Sequence, residues 1–218
     1  NGLLPVIAMG GFADPQKKKE AAAKMARYSG LSETFILQNN LDVSTRAFWK
    51  ELLRTKGFTI GRLDSRYLGI DRMDAGENPD YSAELTSWLH SFTPAINYYL
   101  SQELKFKTDI KYNMFGPVHP WDNSNDHTGD NLRQAMAQNP YLNVMFQSGY
   151  YDGATTYFNS KYSMWNMDPS GKLKDRLSWK GYRSGHMMYL RAEDLIKAND
   201  DVREFIRKSS SNGKAAKY

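Results

Sequence analysis

Two short β-like runs, each leading into a glycine-flanked loop with one titratable residue, constrain the fold of this chain most strongly. Residues 142–147 lead into the loop sequence GYYDG, which contains Asp152, and residues 176–183 lead into SGHMM, which contains His186. Thirty-four residues separate Asp152 from His186, enough for one helix and a return strand. We therefore predict two adjacent parallel strands whose carboxyl ends place the carboxylate and the imidazole side by side.

The sequence pattern leaves two interpretations of this pair open. In the first, the carboxylate of Asp152 holds the imidazole of His186 in one tautomer, as in a catalytic triad. In the second, Asp152 is an ordinary turn residue and His186 is a buried histidine with satisfied hydrogen bonds. The pattern by itself favours neither interpretation.

The rest of the chain changes character near residue 105. Before it, helices are predicted from Asp14 to Tyr28, over residues 32–37, from Ser44 to residue 53 and over residues 81–104. After it, β-like runs alternate with helical ones, which is typical of an α/β sheet with crossover helices. We therefore predict a mostly helical part over residues 1–105, an α/β part over 106–208 and a polar tail over 209–218.

Composition excludes several classes of protein. Hydrophobic residues make up 40% and charged residues 24% of the 218, as in ordinary globular proteins. The chain has no Cys, so disulfides and thiol nucleophiles are excluded. The net charge of +5 comes from scattered basic residues, so we expect no nucleic-acid partner. Pro5 interrupts the longest apolar stretch, residues 3–12, which is too short to span a bilayer, and we expect no membrane span.

Polar clusters elsewhere do not have the spacing of a metal site. Asp71, Asp74 and Asp80 suggest a calcium loop, but its last ligand position would be Ser82 instead of a Glu. His119 and His127 lack a third ligand at zinc spacing. We therefore expect no metal and no cofactor.

A second polar group lies in the helical part of the chain. Arg62, Asp64 and Arg66 alternate along one short segment. They fit either ordinary ion pairs or contacts with a peptide carboxylate, and the sequence leaves both open.

Five stretches resemble one family in the same order along the chain. Residues 149–155 (GYYDGAT) and 185–187 (GHM) are similar to the last two active-site loops of the serine carboxypeptidase family of α/β-hydrolases, in its bacterial branch. Residues 26–31, 50–54 and 61–66 resemble the cap region of the same branch. The resemblance covers roughly residues 16–207, and it implies the C-terminal half of an α/β-hydrolase sheet preceded by a mostly helical cap.

The resemblance also implies a role for three residues. Asp152 corresponds to the triad acid, His186 to the triad base and Met187 to a residue lining the pocket for the C-terminal residue of the substrate. The family's order along the chain is Ser, Asp, His, but no Gly-x-Ser-x-Gly elbow occurs here. A base without a nucleophile has no hydroxyl to activate. We therefore expect an N-terminal segment or a companion chain to carry the nucleophilic Ser.

These features together favour a serine-type carboxypeptidase acting on peptide substrates through an acyl-enzyme. Two alternatives remain: another α/β-hydrolase, such as an aminopeptidase or esterase, and a non-catalytic interaction protein derived from a hydrolase. The chain begins with Asn1 and shows no signal-peptide start, so we expect a fragment or a processed subunit. The family resemblance implies a secreted or periplasmic location.

Overall fold

A computed structural model describes residues 2–113, 116–117, 120–124, 126–210 and 213. About half of the chain is helical, and two sheets of two strands each complete a mixed α/β fold. The chain forms two compact units, Asn1–Leu85 and Thr86–Tyr218. This division precedes the boundary expected near residue 105, and the assignment of cap and hydrolase core stays a prediction.

The first unit begins with four short helices: α1 (Leu3–Met9), α2 (Pro15–Ser29), α3 (Glu33–Gln38) and α4 (Thr45–Glu51). Side-chain caps start three of them. Asp14 accepts hydrogen bonds from the first amides of α2, Ser32 caps α3, and Ser44 caps α4. Each cap satisfies an amide that has no partner within its own helix, and for α2 and α4 these are the starts that the sequence predicts.

The core of the first unit lies between its helices. Its buried members are small or aliphatic residues: Val6, Ala13, Ala21, Ala22, Leu31, Ile36 and Leu41. Partly buried aromatic and aliphatic side chains pack around them. After α4, β1 (Thr59–Ile60) pairs antiparallel with β2 (Leu68–Gly69). Strand β1 lies within residues 58–63, which the sequence leaves open as a short strand or an extended connection.

Buried charged side chains fix the loops of the first unit. Lys50 Nζ lies 2.5 Å from Asp71 Oδ2, both side chains being 2% exposed, and 2.6 Å from the carbonyl oxygen of Met73. Glu84 is fully buried and accepts the amide of Leu63 at 2.9 Å. Asp71 and Glu84 therefore hold loop segments in place. Asp71 lies in the segment that suggested a calcium loop, and the structure gives it this structural role.

The second unit contains α5 (Leu85–Tyr98), α6 (Thr128–Gln138), β3 (Val144–Gly149), α7 (Tyr157–Met167), β4 (Leu177–Tyr182) and α8 (Ala192–Ser209), with Leu85 at the division between units. A π-helical turn, Tyr99–Glu103, follows α5. Strands β3 and β4 pair in parallel through the crossover helix α7. The sequence predicts helices over residues 81–104, 130–138, 156–165 and 192–207, which correspond to α5, α6, α7 and α8. The β-runs predicted at residues 142–147 and 176–183 correspond to β3 and β4. Helix α5 begins four residues after the predicted Tyr81.

A small hydrophobic cluster and the side chain of Arg176 connect β3 and β4 to the helices. Met136, Met167 and Leu173 form its buried centre. Arg176 Nη1 donates to the carbonyl oxygens of Met136 and Asn139 at 2.8 and 2.9 Å, so a cation closes the C-terminal end of α6 at the entrance to β4.

Helix α1 was not predicted from the sequence. Pro5 suggests a break, but it lies in the first turn of α1, where its missing amide hydrogen would have no helical partner in any case. No helix within the described residues is both long and apolar enough to cross a membrane.

Candidate active site

Strands β3 and β4 bring the two predicted site loops together. Six residue pairs keep the strands in register, from Val144 opposite Leu177 to Gly149 opposite Tyr182. The pairing continues beyond the strands, because the amide of Tyr150 donates to the carbonyl of Tyr182 at 2.9 Å and that of Tyr151 to Ser184 at 3.0 Å. The predicted juxtaposition of the two loops is therefore confirmed.

Gly149 permits the close approach of these loops. A Cβ atom at this position would lie 2.3 Å from the carbonyl oxygen of Ser184 and 2.2 Å from that of Gly185. Both neighbours are backbone atoms and cannot swing aside. Any larger residue at position 149 would therefore push apart the loops that bear Asp152 and His186.

The carboxylate of Asp152 is held from two sides. Its Oδ1 accepts the backbone amides of Ala154 at 2.8 Å and Thr155 at 2.9 Å, and its Oδ2 lies 2.9 Å from His186 Nδ1. Its side chain is 6% exposed. Because an ionised carboxylate only accepts hydrogen bonds, Nδ1 carries the hydrogen in the neutral imidazole and Nε2 keeps its lone pair.

The imidazole of His186 is accessible on its other side. The side chain is 45% exposed, and among the described residues His186 hydrogen-bonds through its side chain only to Asp152. Its Nε2 atom is therefore available to accept a proton from a group outside the described residues. This exposure excludes the alternative of a fully buried, satisfied histidine, and the catalytic roles of Asp152 and His186 stay predictions.

A second buried carboxylate supports the loop that precedes His186. Asp194, at the start of α8, accepts the hydroxyl of Ser184 and the guanidinium of Arg191, the latter at 3.1 Å. Asp194 is 4% exposed and Ser184 is 1% exposed. Burial alone would raise the pKa of Asp194, but the hydrogen bonds from Ser184 and Arg191 outweigh it and hold the pKa below its ordinary value.

A third polar group ties β3, β4 and α8 together at Tyr182. Its hydroxyl donates to Asp201 Oδ2 at 2.9 Å and accepts from Gln147 Nε2 at 2.8 Å, while Lys180 Nζ lies 2.8 Å from Asp201 Oδ1. Tyr182 is 1% exposed. Burial raises its pKa to about 12, so the phenol stays neutral and stabilises the strand that leads to His186.

No protein-family model, curated protein or solved structure matches this chain. What the site can do chemically therefore follows from its own geometry.

The remaining sequence predictions have different outcomes. Met187 follows His186 and is half-buried, with its carbonyl accepting the amide of Leu190 at 3.1 Å; its contact with substrate stays a prediction. Within the part of the chain that the structure describes, no three His, Cys, Asp or Glu side chains group as metal ligands. His119 lies outside the described residues, and the side chain of His127 is 70% exposed.

The sequence missed two residues that support the site. Asp194 had no signal beyond its place in the first turn of a helix, where acids are common for reasons of the helix dipole. Tyr182 had only a weak signal, because it is an aromatic residue at the end of a strand that leads into a titratable residue. Neither signal specifies a partner in the folded chain.

Proposed function

We propose that this chain supplies the acid and base of a serine-type carboxypeptidase, with the nucleophilic serine on an N-terminal segment or a companion chain. The observation that carries the proposal is the 2.9 Å contact between Asp152 Oδ2 and His186 Nδ1 at the carboxyl ends of adjacent parallel strands. The peptide specificity and the secreted or periplasmic location rest on the family resemblance of the site loops.

In this proposal His186 Nε2 takes the proton of the serine hydroxyl as the serine oxygen attacks the carbonyl carbon of the last peptide bond. The same nitrogen then gives that proton to the leaving amine. Asp152 stays ionised and stabilises the imidazolium, and its two backbone amide donors keep it oriented. Water hydrolyses the acyl-enzyme by the same proton transfers in the second half of the reaction.

Two features of the second unit support a missing partner segment. Its sheet has only two strands among the described residues, so each strand has one edge without a strand neighbour. Several aromatic side chains of the unit are also at least half exposed, including Tyr150, Phe158 and Trp165. A segment carrying the nucleophile would pair with such an edge and cover apolar surface.

A serine-hydrolase probe tests the proposal. The purified protein, with every polypeptide that accompanies it and any longer parent chain, would be treated with a fluorophosphonate and analysed by intact mass. We expect the label on a companion chain or on the parent outside these residues. Labelling of a serine within this chain would show that the nucleophile lies here and would refute the divided arrangement. No label on any polypeptide would favour the alternative of a non-catalytic interaction protein.

Substrate preference separates the carboxypeptidase from other hydrolases. A peptide with a free C-terminal carboxylate should be shortened from that end, whereas the same peptide with an amidated C-terminus should not. Equal cleavage of both peptides would instead favour an aminopeptidase, and cleavage of an ester substrate but of neither peptide would favour an esterase. In the complete enzyme, we expect His186→Ala to reduce kcat by several orders of magnitude, and near-normal turnover would remove His186 from the mechanism.

A further inference from the structure

A small pocket in the first unit has the chemistry of an anion site. Its volume is about 180 Å³. Arg46 and Arg62 both line it, and Trp49, Ile60 and Tyr81 contribute apolar surface. No acidic side chain is among its lining residues.

The two guanidinium groups differ from the other arginines nearby. Arg66 pairs with Asp64 through two nitrogens, at 2.9 and 2.6 Å, and Arg54 pairs with Glu51. In contrast, neither Arg46 nor Arg62 forms a side-chain hydrogen bond or an ion pair with any residue that the structure describes. The sequence left open whether Arg62 forms an ion pair, and the structure assigns that pair to Arg66.

The backbone that carries these two arginines is fixed. Arg46 lies in the first turn of α4, whose cap Ser44 accepts the amide of Ala47 at 3.1 Å. Arg62 follows Gly61, where a Cβ atom would lie 2.3 Å from both the carbonyl oxygen of Asp64 and Glu84 Oε2. The two exposed guanidinium groups therefore extend from fixed backbone positions on α4 and after Gly61.

The apolar wall of the pocket is anchored in the same way. Trp49 is 8% exposed and Ile60 2% exposed. The hydroxyl oxygen of Tyr81 accepts the amide of Ile70 at 3.0 Å, which holds the phenol in position. Asn78 and Ser82 add neutral polar groups at the rim.

We propose that this pocket binds the carboxylate of a small ligand whose body is aromatic or aliphatic. Guanidinium groups form paired, charge-assisted hydrogen bonds to carboxylates, and the aromatic wall would contact the ligand body. All of the pocket's lining residues belong to the first unit. Inorganic phosphate has a negative charge but no apolar body. A binding experiment can therefore distinguish phosphate from a carboxylate ligand of this kind.

The test is a titration of the purified chain with N-acetyl-L-phenylalanine, followed by NMR through the indole N–H of Trp49. The matched ligand is N-acetyl-L-phenylalaninamide, which has the same body without the charge, and inorganic phosphate is the third probe. The variants are Arg46→Gln and Arg62→Gln. Arg27→Gln removes the same charge from an exposed position on α2 outside the pocket.

We expect the acid to bind with a Kd at least tenfold lower than that of the amide or of phosphate. Each pocket variant should raise that Kd about tenfold or more, because each removes a charge-assisted contact, and Arg27→Gln should leave it unchanged. Circular dichroism would verify that the variants remain folded. Equal binding of acid and amide, no binding of the acid, an unchanged Kd in both pocket variants, or tighter binding of phosphate would each overturn the proposal.

Discussion

The loop that carries His186 should depend strongly on Asp194. The substitution Asp194→Ala removes the buried acceptor of the Ser184 hydroxyl and of the Arg191 guanidinium. A hydrogen bond to a charged group contributes about 1.5–3 kcal/mol. Two circumstances reduce the loss: the Arg191 side chain is 34% exposed, so water replaces part of its contact, and the Met188 carbonyl lies 3.1 Å from the Ser184 hydroxyl as a second acceptor.

We therefore expect Asp194→Ala to lower the free energy of unfolding of the second unit by about 2–4 kcal/mol. Asp194→Asn keeps an acceptor oxygen and should cost less. Amide hydrogen exchange of residues 177–187 is the appropriate assay, because it reports the local stability of β4 and of the loop that carries His186. Exchange rates in Asp194→Ala within about twofold of the wild type would refute this reasoning.

The contribution of the Asp194 carboxylate to stability should depend on pH. The pKa of Asp194 is lower in the folded chain than its ordinary value, so its contribution is present above the unfolded pKa, about 3.9, and is lost as the pH falls through the folded pKa. The difference in stability between wild type and Asp194→Asn should therefore shrink on acidification. A difference that grows below pH 4 would contradict the assignment.

Three further changes should have measurable effects. Gly149→Ala should separate the site loops, because its Cβ would meet backbone atoms at 2.2 and 2.3 Å; the Nδ1 proton of His186, followed by NMR, should lose its hydrogen-bonded shift, and an unchanged shift would refute this. Tyr182 should titrate near its raised pKa of about 12, and stability should fall between pH 10 and 12 as the unfolded phenol ionises first; titration of Tyr182 near pH 10 would contradict its burial. Lys50→Ala leaves the Asp71 carboxylate buried without its cation and should cost about 3–5 kcal/mol in urea unfolding, whereas a cost below about 1 kcal/mol would show that water reaches Asp71.

The sequence predicted the site pair because its signal is local. Each titratable residue follows an apolar run and stands among glycines, and 34 residues leave room for a single crossover. Gly149 is needed where the loops touch. The same reasoning found the caps at Asp14 and Ser44, since a cap is defined by residues within one turn.

What the sequence could not predict depends on contacts between distant residues. Glu84 lies within the predicted helix over residues 81–104, but its carboxylate accepts the amide of Leu63 and the helix begins only at Leu85. Arg62 and Arg66 are equivalent in the sequence, and only the folded chain shows that Asp64 pairs with the second. Likewise, no spacing rule connects Ser184 to Asp194 as a buried pair.

Because β3 and β4 pair in parallel, Asp152 and His186 follow the same end of the sheet, and part of the crossover between the strands can vary in length. Residues 156–166 can change in length without moving Asp152 from His186, provided that both strands keep their six paired positions. The Ala154 and Thr155 amides and the contacts of Met167, Leu173 and Arg176 must also be kept. A deletion of one residue inside β3 would act differently. It would draw the Asp152 loop back by about 3.3 Å and turn the alternating side chains to the opposite face of the sheet. Grafting between residues 156 and 166 is therefore the route to redesign that keeps the Asp152 turn intact.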